Sequence, residues 1–357
     1  MSVPAQNKSL FLESKLGQFA VRSTETPKPG PGEILVKVEA TGLNPLDWKI
    51  QSWSLFVETY PTVVGFDAAG TVAQVGGDVP SSFAIGDRVA VQGWLDIVKQ
   101  TTVGTFTEYF LLPYKFAAKF HASLTFVEAA TIPTGVVTAT FPLYNQDPSA
   151  SSAKLTAPWL EGGRGKYAGK PFLVLAGASS MGQFVIQFAR LSGFSPIVTT
   201  ASPRNASLLK ALGATHVLDR NFPSDQLIAQ ATKIAGGQFG VVYDAVSVPE
   251  TLPVGYALTA QGGSLVVVST AEEQKEKAKE DGKSVHMAYG FIAAPVNHDI
   301  GRTLLDALPS LLESGDIKPN PVEILVGGLN GIVGGLERLK DNKVSGVKLV
   351  VRPSETA

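Results

Sequence analysis

The chain contains no cysteine. That excludes disulfides, iron–sulfur clusters and every zinc site built on a thiolate. Histidine is scarce as well: His121, His216, His286 and His298 are the only four, and they lie far apart with no ligand spacing. No charge of one sign dominates, since 30 Lys and Arg face 31 Asp and Glu, for a net −1. Without a basic surface, neither nucleic acid nor an anionic membrane is an expected partner. The glycines follow no collagen period, and no internal repeat is visible. The opening MSVPAQNKSLFLESK lacks the apolar core of a signal peptide. No stretch reads as the roughly 18 apolar residues of a membrane span. The expectation is a soluble, cytoplasmic protein.

What is present suits a globular chain with a large core: 44% of residues are hydrophobic and 17% charged. A length of 357 residues suggests two domains, at the usual size of about 100–200 residues each. Glycine (36) and proline (23) promise many tight turns.

The first third reads as β structure. Glu33–Ala40 alternates apolar and polar residues, as a half-buried strand does, and Phe66–Val75 and Asp87–Val91 follow between Gly-rich turns. The middle changes rhythm: short apolar runs at Pro171–Gly177, Ile197–Thr200, Val217–Leu218, Gly240–Asp244 and Gly263–Val268 alternate with helical patterns at Ser180–Leu191, Asn205–Leu212 and Gln226–Ile234. Strands alternating with helices predict a parallel sheet covered on both faces. The tail returns to mixed structure: helices at Asp299–Leu312 and Leu329–Lys340, and strands at Val322–Val326 and Val347–Arg352. The fold class is therefore α/β, a β-rich unit joined to a doubly wound sheet, with the last strand completing the first unit. Two segments stand apart. Asn145–Lys170 is polar and rich in Gly, Pro and Ser, the pattern of a long surface loop, and Ala271–Lys283 mixes charges as a solvated helix or mobile loop would.

The chemistry-bearing motif follows the strand Leu173–Leu175. Ala176-Gly177-Ala178-Ser179-Ser180-Met181-Gly182 leads straight into a helix. Against the pattern G-x-G-x-x-G it keeps Gly177 and Gly182 and puts Ser179 at the middle glycine. Gly177 makes the turn, Gly182 lets helix and strand approach, and the amides of Ser180 and Met181 open a helix N-terminus that favours a pyrophosphate. The end of the second strand reads Thr200-Ala201-Ser202-Pro203-Arg204-Asn205, with no carboxylate for a ribose 2′-hydroxyl. Ser202, Arg204 and, one strand further, Arg220 suit a 2′-phosphate instead. The expected cofactor is NADPH.

These residues carry a resemblance. The order of a β-rich unit, GLNPLDWK, VGFDAAGTV, GDRV, GTFTEY and then the phosphate turn resembles the medium-chain dehydrogenase/reductase superfamily. Asn44–Lys49, Ala201–Asn205 and Ser345–Val350 are similar to its fungal trans-acting enoyl reductases, and quinone oxidoreductases share the architecture. The resemblance implies a GroES-like catalytic domain from residues 1–135 and 301–357. It implies an NADPH-binding Rossmann domain over 136–300, with the surface loop near 145–170. Gly65-Phe66-Asp67 stands where zinc members have Gly-His-Glu, so the zinc-independent branch is implied. Hydride addition to an already polarised C=C or to a quinone suits a site without a Lewis acid.

Carried over by position, Lys49 matches a cleft lysine, and Leu46, Asp47 and Trp48 line the cofactor with it. Thr138 matches a threonine beside the nicotinamide. Ser179, Ser180, Met181 and Gly182 match the phosphate turn, and Ser202, Arg204 and Asn205 the 2′-phosphate loop, where Arg220 replaces a tyrosine. Val268 and Ser269 flank the nicotinamide through their backbone, and Lys348 and Leu349 match a terminal cofactor contact. Lys49 and Thr138 are the candidate catalytic residues; taken alone, Lys49 reads first as a solvent-facing lysine in a strand–helix turn, and it is the resemblance that puts it in the cleft, while Asn44 and Asp47 read as turn-formers. The tyrosine of mitochondrial-type enoyl reductases has no counterpart, because Tyr60 directly precedes the next strand; the proton donor stays open. The implied acceptor is a small α,β-unsaturated carbonyl or a carrier-bound enoyl thioester of a synthase. A quinone acceptor and a catalytically idle nucleotide-binding protein are the alternatives. Monomer and homodimer are both open, with Gly263–Val268 as a strand available for pairing across a two-fold.

Overall fold

The computed structural model describes residues 3–96 and 98–357. The two rhythms of the sequence separate into two bodies of sheet. In the first, Glu33–Gly42 is the central strand. It pairs antiparallel with Asp67–Val75, which continues through Arg88–Gln92 to Ala117–Lys119, and its first half also pairs with Tyr109–Pro113. Ile34, Val36 and Val38 point into a core with Ala68, Val72, Val89, Val91, Phe110 and Leu112. The tail closes this unit as anticipated: Lys348–Val351 pairs antiparallel with Thr41 and Gly42 and parallel with Val322–Ile324. A smaller sheet of Phe19–Glu25, Gln6–Leu12 and Thr62–Val63 flanks it.

The second body is a six-stranded, wholly parallel sheet. Across it lie His216–Asp219, Ile197–Ala201, Phe172–Leu175, Phe239–Asp244, Thr259–Val267 and Ser284–Met287. This is the doubly wound order, with the reversal between Phe172–Leu175 and Phe239–Asp244, where such sheets take their ligands. Phe172–Leu175 is buried on both faces, as a central parallel strand must be.

Several expectations need correction. Gly263–Val268 belongs to a strand inside the sheet; the edge is Ser284–Met287, too short and polar a run to stand out in the sequence. Asn44 and Asp47 open a helix, Pro45–Trp53, and are not parts of a bare turn. Asn145–Lys170 has no helix or strand, yet it is clamped: Trp159 packs edge-on against Tyr144 and Phe188, and Ala157 is buried. The charge-mixed stretch, by contrast, takes the first of its two expected forms, a solvated helix, Glu272–Asp281, laced by Lys275–Glu272, Lys277–Glu273 and Lys279–Glu276 pairs. Finally, Phe126–Tyr144 does satisfy the length and mean-hydropathy test for a membrane span. It is two helices, Phe126–Ala129 and Pro133–Tyr144, and 67% of its most apolar window is buried inside the protein, so its apolarity serves the core.

Candidate active site

The expected phosphate and ribose residues, with Val268 and Ser269, fall at the carboxyl end of the parallel sheet because each follows one of its strands, whereas Leu46–Lys49, Thr138, Lys348 and Leu349 lie on other elements. The phosphate turn follows Phe172–Leu175, Ser202 and Arg204 follow Ile197–Ala201, Arg220 follows His216–Asp219, and Val268 and Ser269 follow Thr259–Val267. Ala176 takes a left-handed backbone (φ 58°) to start the turn. Ser179 caps the helix Ser180–Leu191, its hydroxyl accepting from the Gly182 amide at 3.1 Å. A side chain on Gly177 would meet Thr199 Oγ1 at 2.0 Å, and one on Gly182 would meet the Ala176 carbonyl at 2.7 Å, so both glycines are required by close approach. The Ser180 hydroxyl donates to Asn320 Oδ1 at 2.5 Å, and the Gly177, Ser179 and Gly182 amides are bonded to Thr200, Ala176 and Ser179, so the amides open to a ligand are those of Ser180 and Met181 at the helix N-terminus.

At the ribose end the Arg220 amide bonds the Ala201 carbonyl at 3.0 Å, so the two loops lie side by side. Arg204 and Arg220 are exposed, and neither is among the arginines paired with a carboxylate in the described residues. Asn205 is buried; its amide donates to Ser345 Oγ at 3.0 Å, which docks the tail loop against the same place. At the other end, Val268 N bonds Ser247 Oγ at 2.8 Å and Ser269 Oγ bonds the Ser247 carbonyl at 2.7 Å.

The structure also brings Thr138 to the phosphate-turn helix. Tyr243 donates to the Thr138 carbonyl at 2.6 Å and reaches Met181 Sδ at 3.3 Å. Gly290 lies against the Thr138 hydroxyl, where a Cβ would come within 2.3 Å of it. Tyr243 was not anticipated: it reads as one more apolar residue of a buried strand. Its phenol is held well above its ordinary range by burial, with Asp244 adding to the effect, so it stays a neutral donor.

Lys49 lies on the helix Pro45–Trp53, with its ammonium 5.9 Å from the Trp48 ring and 5.5 Å from the Trp53 ring. Leu46 and Trp48 are half-buried and pack on the core of the first unit. Partial burial lowers the Lys49 pKa below the usual lysine range, and it is in none of the ion pairs of the described residues. Tyr60 donates instead to the Val57 carbonyl at 2.9 Å.

At the start of the helix that carries Lys49 is a buried polar cluster. Lys348 is 3% exposed and Asp67 fully buried, and they pair at 2.8 Å. Asp67 Oδ2 also accepts from Asn44 Nδ2 at 2.8 Å, and Asp67 Oδ1 accepts from the Thr134 amide at 2.6 Å. The Lys348 ammonium is therefore spent inside the protein, and its Leu349 neighbour bonds Leu43 N through its carbonyl at 2.9 Å. Asp47 Oδ2 accepts from the Asn44 amide at 2.7 Å, and Asp47 Oδ1 is buried without a partner. Burial pushes the Asp47 carboxyl well above the usual carboxylate range, and Asp67 adds to that, since one ammonium cannot neutralise two buried acids.

With this geometry in hand, comparison with known proteins is decisive. The "Alcohol dehydrogenase GroES-like domain" model matches residues 30–122, and the "Zinc-binding dehydrogenase" model matches 180–290. Trans-enoyl reductase RAP2 of Pyricularia oryzae is 33% identical, over 98% of this chain and 99% of its own. The chain belongs to the medium-chain dehydrogenase/reductase family. A second relative, Dehydrogenase orsE of Emericella nidulans, is 31% identical over 97% of this chain and 99% of its own. The quinone oxidoreductase of Coxiella burnetii superposes with a TM-score of 0.74 at 25% identity, covering 97% of this chain and 99% of that one.

Membership makes this an oxidoreductase and implies a nicotinamide cofactor, and the residues fit one. The glycine cradle has no room for side chains, the capped turn presents helix amides, and Asp47 Oδ1 is a buried polar atom left without a partner. The zinc named in the second model does not fit. Among the described residues no three His, Asp or Glu side chains gather as a ligand set, and both oxygens of Asp67 are committed to Lys348, Asn44 and Thr134.

Proposed function

We propose that this oxidoreductase reduces the activated C=C of an α,β-unsaturated carbonyl or enoyl thioester with NADPH. The observation that carries the reading is Lys49: a half-buried ammonium beside an edge-packed pair of indoles, with depressed pKa and no carboxylate partner among the described residues. Bound NADPH supplies hydride to the β-carbon of the acceptor. Charge then develops on the carbonyl oxygen as an enolate, and a fixed cation there lowers the barrier by a few kcal/mol. Lys49 fills that role, with the Thr138 hydroxyl as a second donor, and a lysine acidified by burial is suited to return a proton to the α-carbon.

For the cofactor, we assign Gly177 and Ser179–Gly182 to the pyrophosphate. Ser202, Arg204, Asn205 and Arg220 go to the 2′-phosphate. Leu46–Lys49, Thr138, Val268 and Ser269 line the nicotinamide half, with Leu349 and the Lys348 main chain at the tail contact. The exposed arginines and the missing ribose acid support NADPH over NADH. The relatives' name, trans-enoyl reductase, supports an enoyl acceptor, free or carrier-bound, and a cofactor kept reduced in the cytosol supports work there. The domain division 1–135 with 301–357, against 136–300, is the one we adopt.

The test is NADPH consumption against alkenals, enones, crotonyl thioesters and quinones, with NADH as control. Turnover of the alkenes supports the reading, and thioester turnover alone supports a carrier-bound substrate. Turnover of quinones alone replaces the reading with a quinone reductase, and NADPH binding without any turnover replaces it with an idle nucleotide-binding protein.

A further inference from the structure

The buried cluster at the start of the helix Pro45–Trp53 has a topology that stability alone does not require. Asp67 lies on the strand Asp67–Val75 and touches the starts of two different helices. Its Oδ1 accepts from the amide of Thr134 in the first turn of Pro133–Tyr144, and Thr138 lies one turn further on. Its Oδ2 accepts from Asn44, the residue that precedes Pro45–Trp53, and Lys49 lies just over one turn further on. Lys348 locks the two together by donating to Asn44 Oδ1 at 2.6 Å and Asp67 Oδ2 at 2.8 Å. It comes from the tail strand, directly after the loop whose Gly346 carbonyl accepts from Gln183 of the phosphate-turn helix at 3.3 Å. The same loop holds Asn205 through Ser345.

We propose that Asp67 and Lys348 are a positioning pair for hydride transfer. They set the register between the helix ends that carry Lys49 and Thr138, and the tail loop extends that register to the phosphate end of the cofactor. The inference rests on the function proposed above. A pair serving stability alone can be exchanged for neutral groups at little cost, because its attraction only offsets its desolvation. A positioning pair cannot, because a misplacement of about 1 Å between reacting groups costs on the order of 100-fold in rate.

The experiment compares Lys348→Met, Asp67→Asn and the double Asp67→Asn/Lys348→Met variant with the unaltered chain. Amide hydrogen exchange is read without cofactor, and kcat, KM and Tm are read with it. Lys348→Met is expected to speed exchange over residues 44–50 and 133–139 together. Each variant is expected to lose about 10- to 100-fold in kcat, with KM within about threefold. The double variant leaves no lone buried charge, so it is expected to recover Tm while kcat stays low. Faster exchange confined to the tail strand, or a double variant with unaltered kcat, overturns the proposal. If the unaltered chain reduces no acceptor, the proposed function fails by itself, because the exchange result does not depend on turnover.

Discussion

Lys49 shows how one side chain acquires a property its type does not have. Two indoles remove water from one side of the ammonium, and no carboxylate restores what is lost, so its pKa falls. Acting as cation and acid, Lys49 works in its protonated form, so activity falls as pH rises through the lowered pKa. The alkaline limb of kcat should therefore begin below the ordinary lysine value of 10.5. Lys49→Arg, which stays charged, should move that limb upward. Lys49→Ala should lose about 100- to 1,000-fold in kcat, the scale of one missing oxyanion donor, with NADPH affinity within about threefold; unaltered kcat in that variant removes lysine from the mechanism. Lys49 and Thr138 became candidates through the resemblance, which rests on the short segments Asn44–Lys49 and Pro133–Ala139. The Asp67–Lys348 pair was not legible, because its partners are 281 residues apart and a lone Asp in an apolar strand says nothing of its counter-ion. Asp47 offers a second residue-scale test. Its folded pKa is raised, so the folded state holds a proton that the unfolded chain releases above the usual carboxylate range. Stability should thus fall as pH rises from about 3.8 toward the raised value. Asp47→Asn keeps an acceptor for the Asn44 amide and cannot ionise, so Tm measured across that range should flatten.

Among the elements, the phosphate turn is the most exacting. Strand, turn and helix were readable in order because period and composition change sharply at Ala176. What composition cannot express is how little room the turn has. A methyl at residue 182 meets the Ala176 carbonyl at 2.7 Å and the Gly177 Cα at 2.8 Å, and backbone atoms do not yield as a side-chain tip does. Gly182→Ala should cost about 1–3 kcal/mol of stability and weaken NADPH binding. Gly240→Ala is the control in the same sheet, since nothing lies within 4 Å of its added methyl. It should be neutral or gain about 0.4–1 kcal/mol through the unfolded chain. Thermal melts and cofactor titration separate the two. The helix Pro45–Trp53, like the helix Pro133–Tyr144 and the strand Ser284–Met287, was hidden from the sequence. Asn-Pro initiates turns as readily as helices, and two tryptophans with few strong helix formers give a weak periodic signal.

At the scale of the whole molecule, the chain leaves its first sheet, builds a second and returns to finish the first. The returning strand was readable from its β-branched run. The contacts it makes on the way were not: Asn320 binds Ser180 and Gln183 of the phosphate-turn helix, and Asn205 binds Ser345, each across about 140 residues. The tail therefore holds both bodies at the place where the dinucleotide is assigned. A ligand seated there binds the folded chain and not the unfolded one, so it must raise the melting temperature by mass action. At a hundredfold excess over Kd the gain is about 2.7 kcal/mol. The 2′-phosphate separates the two nicotinamide cofactors: Arg204 and Arg220 are exposed with no carboxylate to compete for them, so each charge-assisted bond to the phosphate is worth about 1.5–3 kcal/mol. At equal concentration NADPH should raise Tm by several degrees more than NADH. Arg204→Ala should weaken NADPH by about 10- to 100-fold and leave NADH unchanged, and adding Arg220→Ala should remove the remaining difference. Equal shifts by the two cofactors in the unaltered chain would mean that these arginines do not meet a phosphate.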